Sequence, residues 1–187
     1  MKLKKTKTPV KNQPDRSWIV LILFLTMLIS ACFSYISSVI LEDIGLFVGF
    51  LVLLLIILIG IAFDIIGVAV TAADAVPFHA MASRKVPEAQ EALRLIKNAN
   101  RVCSFCNDVI GDICGVVSGS ASAVIAIRIL ALHPGLRELV LNLVLSALVA
   151  ALTVGGKACG KTVAIQKAND VLRLTARVTL FFRNLFR

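Results

Sequence analysis

Asp64, Asn107, Asp108 and Asp112 place oxygen donors within long apolar runs, and these are the residue types that could carry chemistry here. A carboxylate inside a bilayer-spanning helix costs ~2.5–3.5 kcal/mol on insertion scales, so it requires a partner, water or an ion. Asp108 and Asp112 are four residues apart, which sets them on one helical face with Asn107 and Gly111 beside it. Carboxylates and an amide, with small residues leaving room for water, make a set of hard donors suited to Mg²⁺, which keeps several waters and takes few protein ligands. The bland reading of the same aspartates is pairing with Arg128, His79 or helix N-terminal amides, or solvation near the interface.

Other chemistry is poorly supported. Gly155 to Thr162 reads G-x-x-x-x-G-K-T, formally a phosphate-binding loop, but such a loop follows a buried strand of an α/β sheet. Leu139 to Val154 is instead long, rich in leucine and alanine, and reads as a membrane helix, so no nucleotide is expected. His79 and His133 are isolated from each other and from any nucleophile, and an aspartyl-protease pairing of Asp64 with Asp108 has no supporting flanks. No enzyme activity and no organic cofactor are expected. The five cysteines, Cys32, Cys103, Cys106, Cys114 and Cys159, are odd in number and lie in or beside apolar sequence. They read as small buried hydrophobes rather than a disulfide framework, and Cys103-x-x-Cys106 has no second pair at metal-finger spacing.

The elements that must position these residues follow from composition. The 187 residues are 58% hydrophobic and only 17% charged, far from a soluble balance. The expected fold is all-α: a polytopic integral membrane protein of about four spans, near 18–41, 44–73, 102–132 and 136–154, with a juxtamembrane helical segment at 74–101. Residues 1–17 read as a basic cytoplasmic tail and 157–187 as a basic amphipathic one, both suited to anionic lipid. The net charge of +9 sits at the two ends and in the central segment, a positive-inside pattern that puts both termini in the cytoplasm of a cell-membrane protein. No contiguous basic face for nucleic acid is present. Small residues precede Cys32 as in a lipoprotein cleavage site, but apolar sequence continues to Leu41, which favours an uncleaved signal-anchor helix. On these boundaries Asp64 lies roughly 14 Å from the inner end of the second span, and Asp108 and Asp112 roughly 9 to 15 Å into the third, so all three share one level. Gly45 with Gly49, and Gly111, Gly115 and Gly119, recur every four residues and permit close helix contact, within one chain or in a homodimer.

From residue 60 to about 175 the order of features resembles the transmembrane domain of the cyclin M (CNNM) and CorB/CorC magnesium transporters. Phe63-Asp64-Ile65-Ile66-Gly67-Val68-Ala69 is similar to the family's F-S-x-S-E-x-A, Ala92 to Lys97 stand where its juxtamembrane helix lies, and Cys106-Asn107-Asp108 looks like its G-N-N. Gly156-Lys157-Ala158-Cys159-Gly160-Lys161-Thr162 looks like its G-E-x-x-P-K-T. The departures are Lys157 for an acidic residue, Gly160 for a proline, and Ile66 and Gly67 for a serine and a glutamate; no CBS-pair region follows. The resemblance implies Mg²⁺ as the ion, with Asn107 and Asp108 at the family's asparagine pair and Asp64 at a serine position. The expected function is divalent-cation transport or binding through Asp64, Asn107, Asp108 and Asp112. The alternative is a non-transporting structural or regulatory protein that packs with another membrane protein.

Overall fold

The computed structural model describes residues 16–43 and 45–185, and every regular element among them is a helix. The expected basic N-terminal tail lies outside the described residues up to position 15. α1 runs Arg16–Asp43 and α2 Leu46–Ala72. A hairpin of two short helices follows, α3 (Val76–Ser83) and α4 (Pro87–Lys97). α5 (Ala99–Ser104), a π-helical turn (Phe105–Gly111) and α6 (Asp112–Leu132) then form one continuous rod. α7 (Glu138–Gln166) and α8 (Ala168–Leu185) complete the chain.

Among the described residues three helices are long and apolar enough to cross a membrane: Leu46–Ala72, Ala99–Leu132 and Glu138–Gln166. Their outward faces expose Leu51, Leu54, Leu55 and Leu58 on α2, and Leu139, Leu143, Leu148 and Leu152 on α7. Apolar surface this extensive is stable against hydrocarbon and not against water.

α2 is the hub. The α5–α6 rod, α7 and α8 all pack against it, α6 and α7 also touch each other, and α1 leans on α6. Glycines set the register. A Cβ at Gly60 would meet Cys114 Cβ at 3.0 Å, and seven residues on, a Cβ at Gly67 would meet Cys106 and Asn107, so α2 and the rod run antiparallel. α7 runs parallel to α2: Gly156 seats against Ile61 and Gly160 against Ile65. The same offset persists into α8, where Asn169 Oδ1 accepts a hydrogen bond from the Asp74 backbone N–H, 95 residues away and 3.0 Å distant.

This packing explains why the helix after the turn at 133–137 does not stop at residue 154 but continues to Gln166. Gly155, Gly156 and Gly160 look like breakers in sequence, yet two of them permit close approach to α2, which compensates their low propensity. The residues expected as one C-terminal tail thus divide between the end of α7 and a separate helix, α8.

Two apolar clusters bracket the middle of α2. One joins Leu53 and Ile57 to Ala121, Ile125, Leu145 and Val149. The other joins Val70 to Phe78, Ala92, Leu172 and Ala176, and welds the α3–α4 hairpin and α8 to the end of α2. The hairpin turns tightly because Lys85 adopts a left-handed φ of 59° and the Val86 N–H donates to Met81 O, a Schellman-type closure. Pro87 then begins α4, where its missing N–H is of no consequence. Two ion pairs hold α8 to α4: Arg183 to the buried Glu91 at 2.7 Å, and Arg177 to Glu88 at 3.0 Å.

Gly160→Val would set side-chain atoms against Ile65 and should lose about 1–3 kcal/mol in an SDS-titration unfolding experiment. Gly155→Ala, with nothing within 4 Å of the added carbon, should lose nothing. Equal losses would refute the parallel glycine contact. Arg183→Ala removes a charged hydrogen bond whose arginine is half exposed, so the expected cost is about 1 kcal/mol. Amide exchange should then quicken roughly fivefold in the last turns of α8 and stay unchanged in α2.

Candidate functional site

Gly60, Asp64 and Gly67 stand at i, i+4 and i+7 and so share the face of α2 that meets the rod. Gly60 faces Cys114 and Gly67 faces Asn107, which brings Asp64 opposite the stretch between them. Asp64 is only 4% exposed, and it makes no ion pair among the described residues. Its Oδ2 and the Oδ1 of Asn107 are two of the three buried side-chain polar atoms that lack a hydrogen-bond partner among the described residues, Thr26 Oγ1 being the third.

The Asn107 amide is oriented from both ends. Its Nδ2 donates to Cys103 Sγ at 3.5 Å, and its Oδ1 points at Gly67, where a Cβ would stand 2.5 Å away. Only glycine at position 67 leaves that space. Asn107 lies in the π-helical turn, an irregularity that loosens the i→i−4 ladder and is frequent at functional positions.

Asp108 and Asp112 are exposed, whereas Asn107 is half-buried against α2 and Cys106 is buried. The structure therefore sets Asn107 against Gly67, one helical turn from Asp64, and leaves Asp108 and Asp112 exposed. Asp108 remains close enough for its field to reach the Cys103 thiol, as do Asp64 and Lys161. Asp112 and Arg128 are sixteen residues apart on one helix, roughly 24 Å, so they are not partners. His79 is exposed on α3, well along the chain from the rod.

Sequence reasoning missed the cations. Lys157 is half-buried; its Nζ would stand 3.4 Å from a Cβ at Gly111, and its field reaches Cys114. Lys161, one turn on, is exposed and acts on Cys103. The phosphate-loop spelling is thus a stretch of α7, with its glycines on α2 and its first lysine extended towards Gly111 of the rod. Gly60 and Gly67, spaced to straddle Asp64, were the signal in the sequence that could have located the close approach.

Chemically, the site offers one buried carboxylate and one amide oxygen as acceptors, a thiol that orients the amide, and two ammonium groups nearby. Among the described residues no group of three or more His, Cys, Asp or Glu side chains is placed to hold a metal ion. That donor set is too sparse for a structural metal. No protein-family model, curated protein or solved structure matches the chain.

Gly67→Ala should drive the Asn107 amide from its position and cost about 1–3 kcal/mol in reversible unfolding in detergent. Adding Asn107→Ala removes the obstructing group, so the double variant should lose less than the two single losses combined. Strictly additive losses would show that Gly67 and Asn107 do not meet.

Proposed function

We propose that the chain is a multi-pass cell-membrane protein of four spans, α1 being the first, that binds and passes a small hard cation, Mg²⁺ foremost. Both termini lie on the cytoplasmic side, in line with the basic residues at both ends and in the α3–α4 segment. The observation that carries this reading is the pair of buried acceptor oxygens without donors among the described residues, Asp64 Oδ2 and Asn107 Oδ1, about one helical turn apart between two apolar clusters. An uncompensated buried carboxylate is strongly unfavourable, and a hydrated cation supplies both the positive charge and the missing donors.

Asp64 contributes the charge, and Asn107, aimed by Cys103 and Gly67, contributes a neutral oxygen. Asp108 and Asp112, exposed on the rod, raise the local cation concentration rather than ligate. The Lys157 ammonium beside Gly111 opposes a divalent ion and keeps its binding weak, as passage through a membrane requires. The resemblance of the 60–175 region to the CNNM and CorB/CorC transmembrane domain points to the same ion. A second reading, a helical partner for another membrane protein or for a second copy, is favoured by one observation. Gly115 and Gly119 have open space beside them, a small-residue face to which another helix would pack closely.

The test is Mg²⁺ flux into proteoliposomes loaded with a Mg²⁺-sensitive dye, at matched levels of folded protein. Asp64→Asn should abolish flux and Asn107→Ala reduce it on the order of tenfold, the loss of one oxygen worth ~1.4 kcal/mol. Asp112→Asn should keep most of it, and Lys157→Gln should tighten Mg²⁺-dependent thermal stabilisation. Absence of both flux and Mg²⁺ stabilisation in the unaltered protein would sink the cation reading and leave the helix-partner reading.

A further inference from the structure

α8 carries two faces, and the fold uses only one. Ala168, Leu172 and Ala176 are buried, the last two in the cluster formed with Val70, Phe78 and Ala92, so the inner face is committed to the protein. Leu174, Val178, Phe181 and Leu185 follow one another at spacings of four, three and four, which aligns them on a different face. They are 62%, 47%, 66% and 65% exposed, and Phe182 beside them is 53% exposed. The Phe181 and Phe182 rings meet edge to face at 6.0 Å, forming one aromatic ridge. Between the inner face and this ridge runs a polar strip with the exposed Arg173 and Arg177.

Five large apolar side chains beside an arginine strip do not suit a helix standing in water. Position decides what covers them. α8 begins two residues after α7, which is long and apolar enough to cross a membrane, and Asn169 ties its first turn to Asp74 at the end of α2. The helix is therefore held where two apolar helices end together, the level at which a bilayer changes from acyl chains to headgroups. We infer that the outer face of α8 lies in an anionic lipid surface, with Leu174, Val178, Phe181 and Leu185 in the acyl boundary and Arg173 and Arg177 among the phosphates.

The chemistry is complementary on both counts. Apolar side chains on such a helix gain from burial ~5–10 Å into the interface, and each arginine near an anionic headgroup contributes about fivefold in affinity. Arg177 is also tethered to Glu88, so the strip is held in place before any lipid arrives. A helix clamped to α4 by ion pairs and to the bilayer by its ridge links lipid charge to Asp74 just past α2, ten residues beyond Asp64. The inference does not depend on what the Asp64 site binds.

The experiment uses the full chain, one copy per lipid nanodisc, with Trp18→Phe and Phe181→Trp so that position 181 carries the single tryptophan. The nanodiscs contain brominated phosphatidylcholine with increasing phosphatidylglycerol. The tryptophan emission should be quenched by the bromolipid and shielded from aqueous acrylamide, and phosphatidylglycerol should deepen the quenching. Arg173→Gln, which leaves both ion pairs to α4 in place, should raise the phosphatidylglycerol content needed for half-maximal quenching by roughly twofold to fivefold. Quenching by acrylamide but not by bromolipid would overturn the inference. So would bromolipid quenching indifferent to both phosphatidylglycerol and Arg173, or shielding that emerges only when two copies share a disc.

Discussion

Asp64 sits on α2, the helix against which the rod, α7 and α8 all pack, and one of its carboxylate oxygens is buried without a donor among the described residues. Much of the surrounding arrangement follows from the need to keep that group tolerable. The two apolar clusters close above and below it rather than around it, Gly60 and Gly67 admit the rod at close range on either side, and a neutral amide, not an arginine, is brought to the same face. A carboxylate placed on a peripheral helix could have turned to water. On the hub it cannot, so the neighbouring elements carry the polar and positive groups instead.

Close approach is the second organising force. Where apolar side chains gain little from leaving lipid for another helix, backbone proximity and dispersion contacts take over, and small residues become the packing determinants. Ile61 and Ile65 lying on Gly156 and Gly160 are the clearest case. The serines of α6 follow the same logic. Ser118 and Ser122 are buried, and each hydroxyl donates to the carbonyl three residues earlier, at 2.9 and 2.8 Å, so they add no unmet polar group to the interface.

The site was partly legible in the sequence. Asp64 and Asn107 stood out because polar groups within long apolar runs are costly wherever they fall, and that argument needs no contacts. For Asp108 and Asp112 periodicity left the facing of the rod open. Helical spacing does put them on one face, but whether that face meets α2 or the exterior depends on how the rod is rotated about its axis, and the π-helical turn takes part in that rotation. Lys157 and Lys161 were hidden for another reason. Their stretch spelled a phosphate loop beyond the expected end of the fourth span, and nothing in the linear order indicated that α7 continues through it alongside α2.

By itself the sequence determined the all-helical class, the central apolar stretches and the ends of the first three to within a few residues, because these depend on local composition and on a 3.6-residue period. The tertiary structure decided three things that no local pattern contains. It made Gly155 to Thr162 part of α7 rather than chain beyond its end, since glycine's low propensity is outweighed by the contact it permits. It joined Glu91 to Arg183, 92 residues away, across the α4–α8 interface. It selected Asn107 over Asp108 as the neighbour of α2, because rotation about a helix axis is settled by what packs against the helix and not by the residues within it.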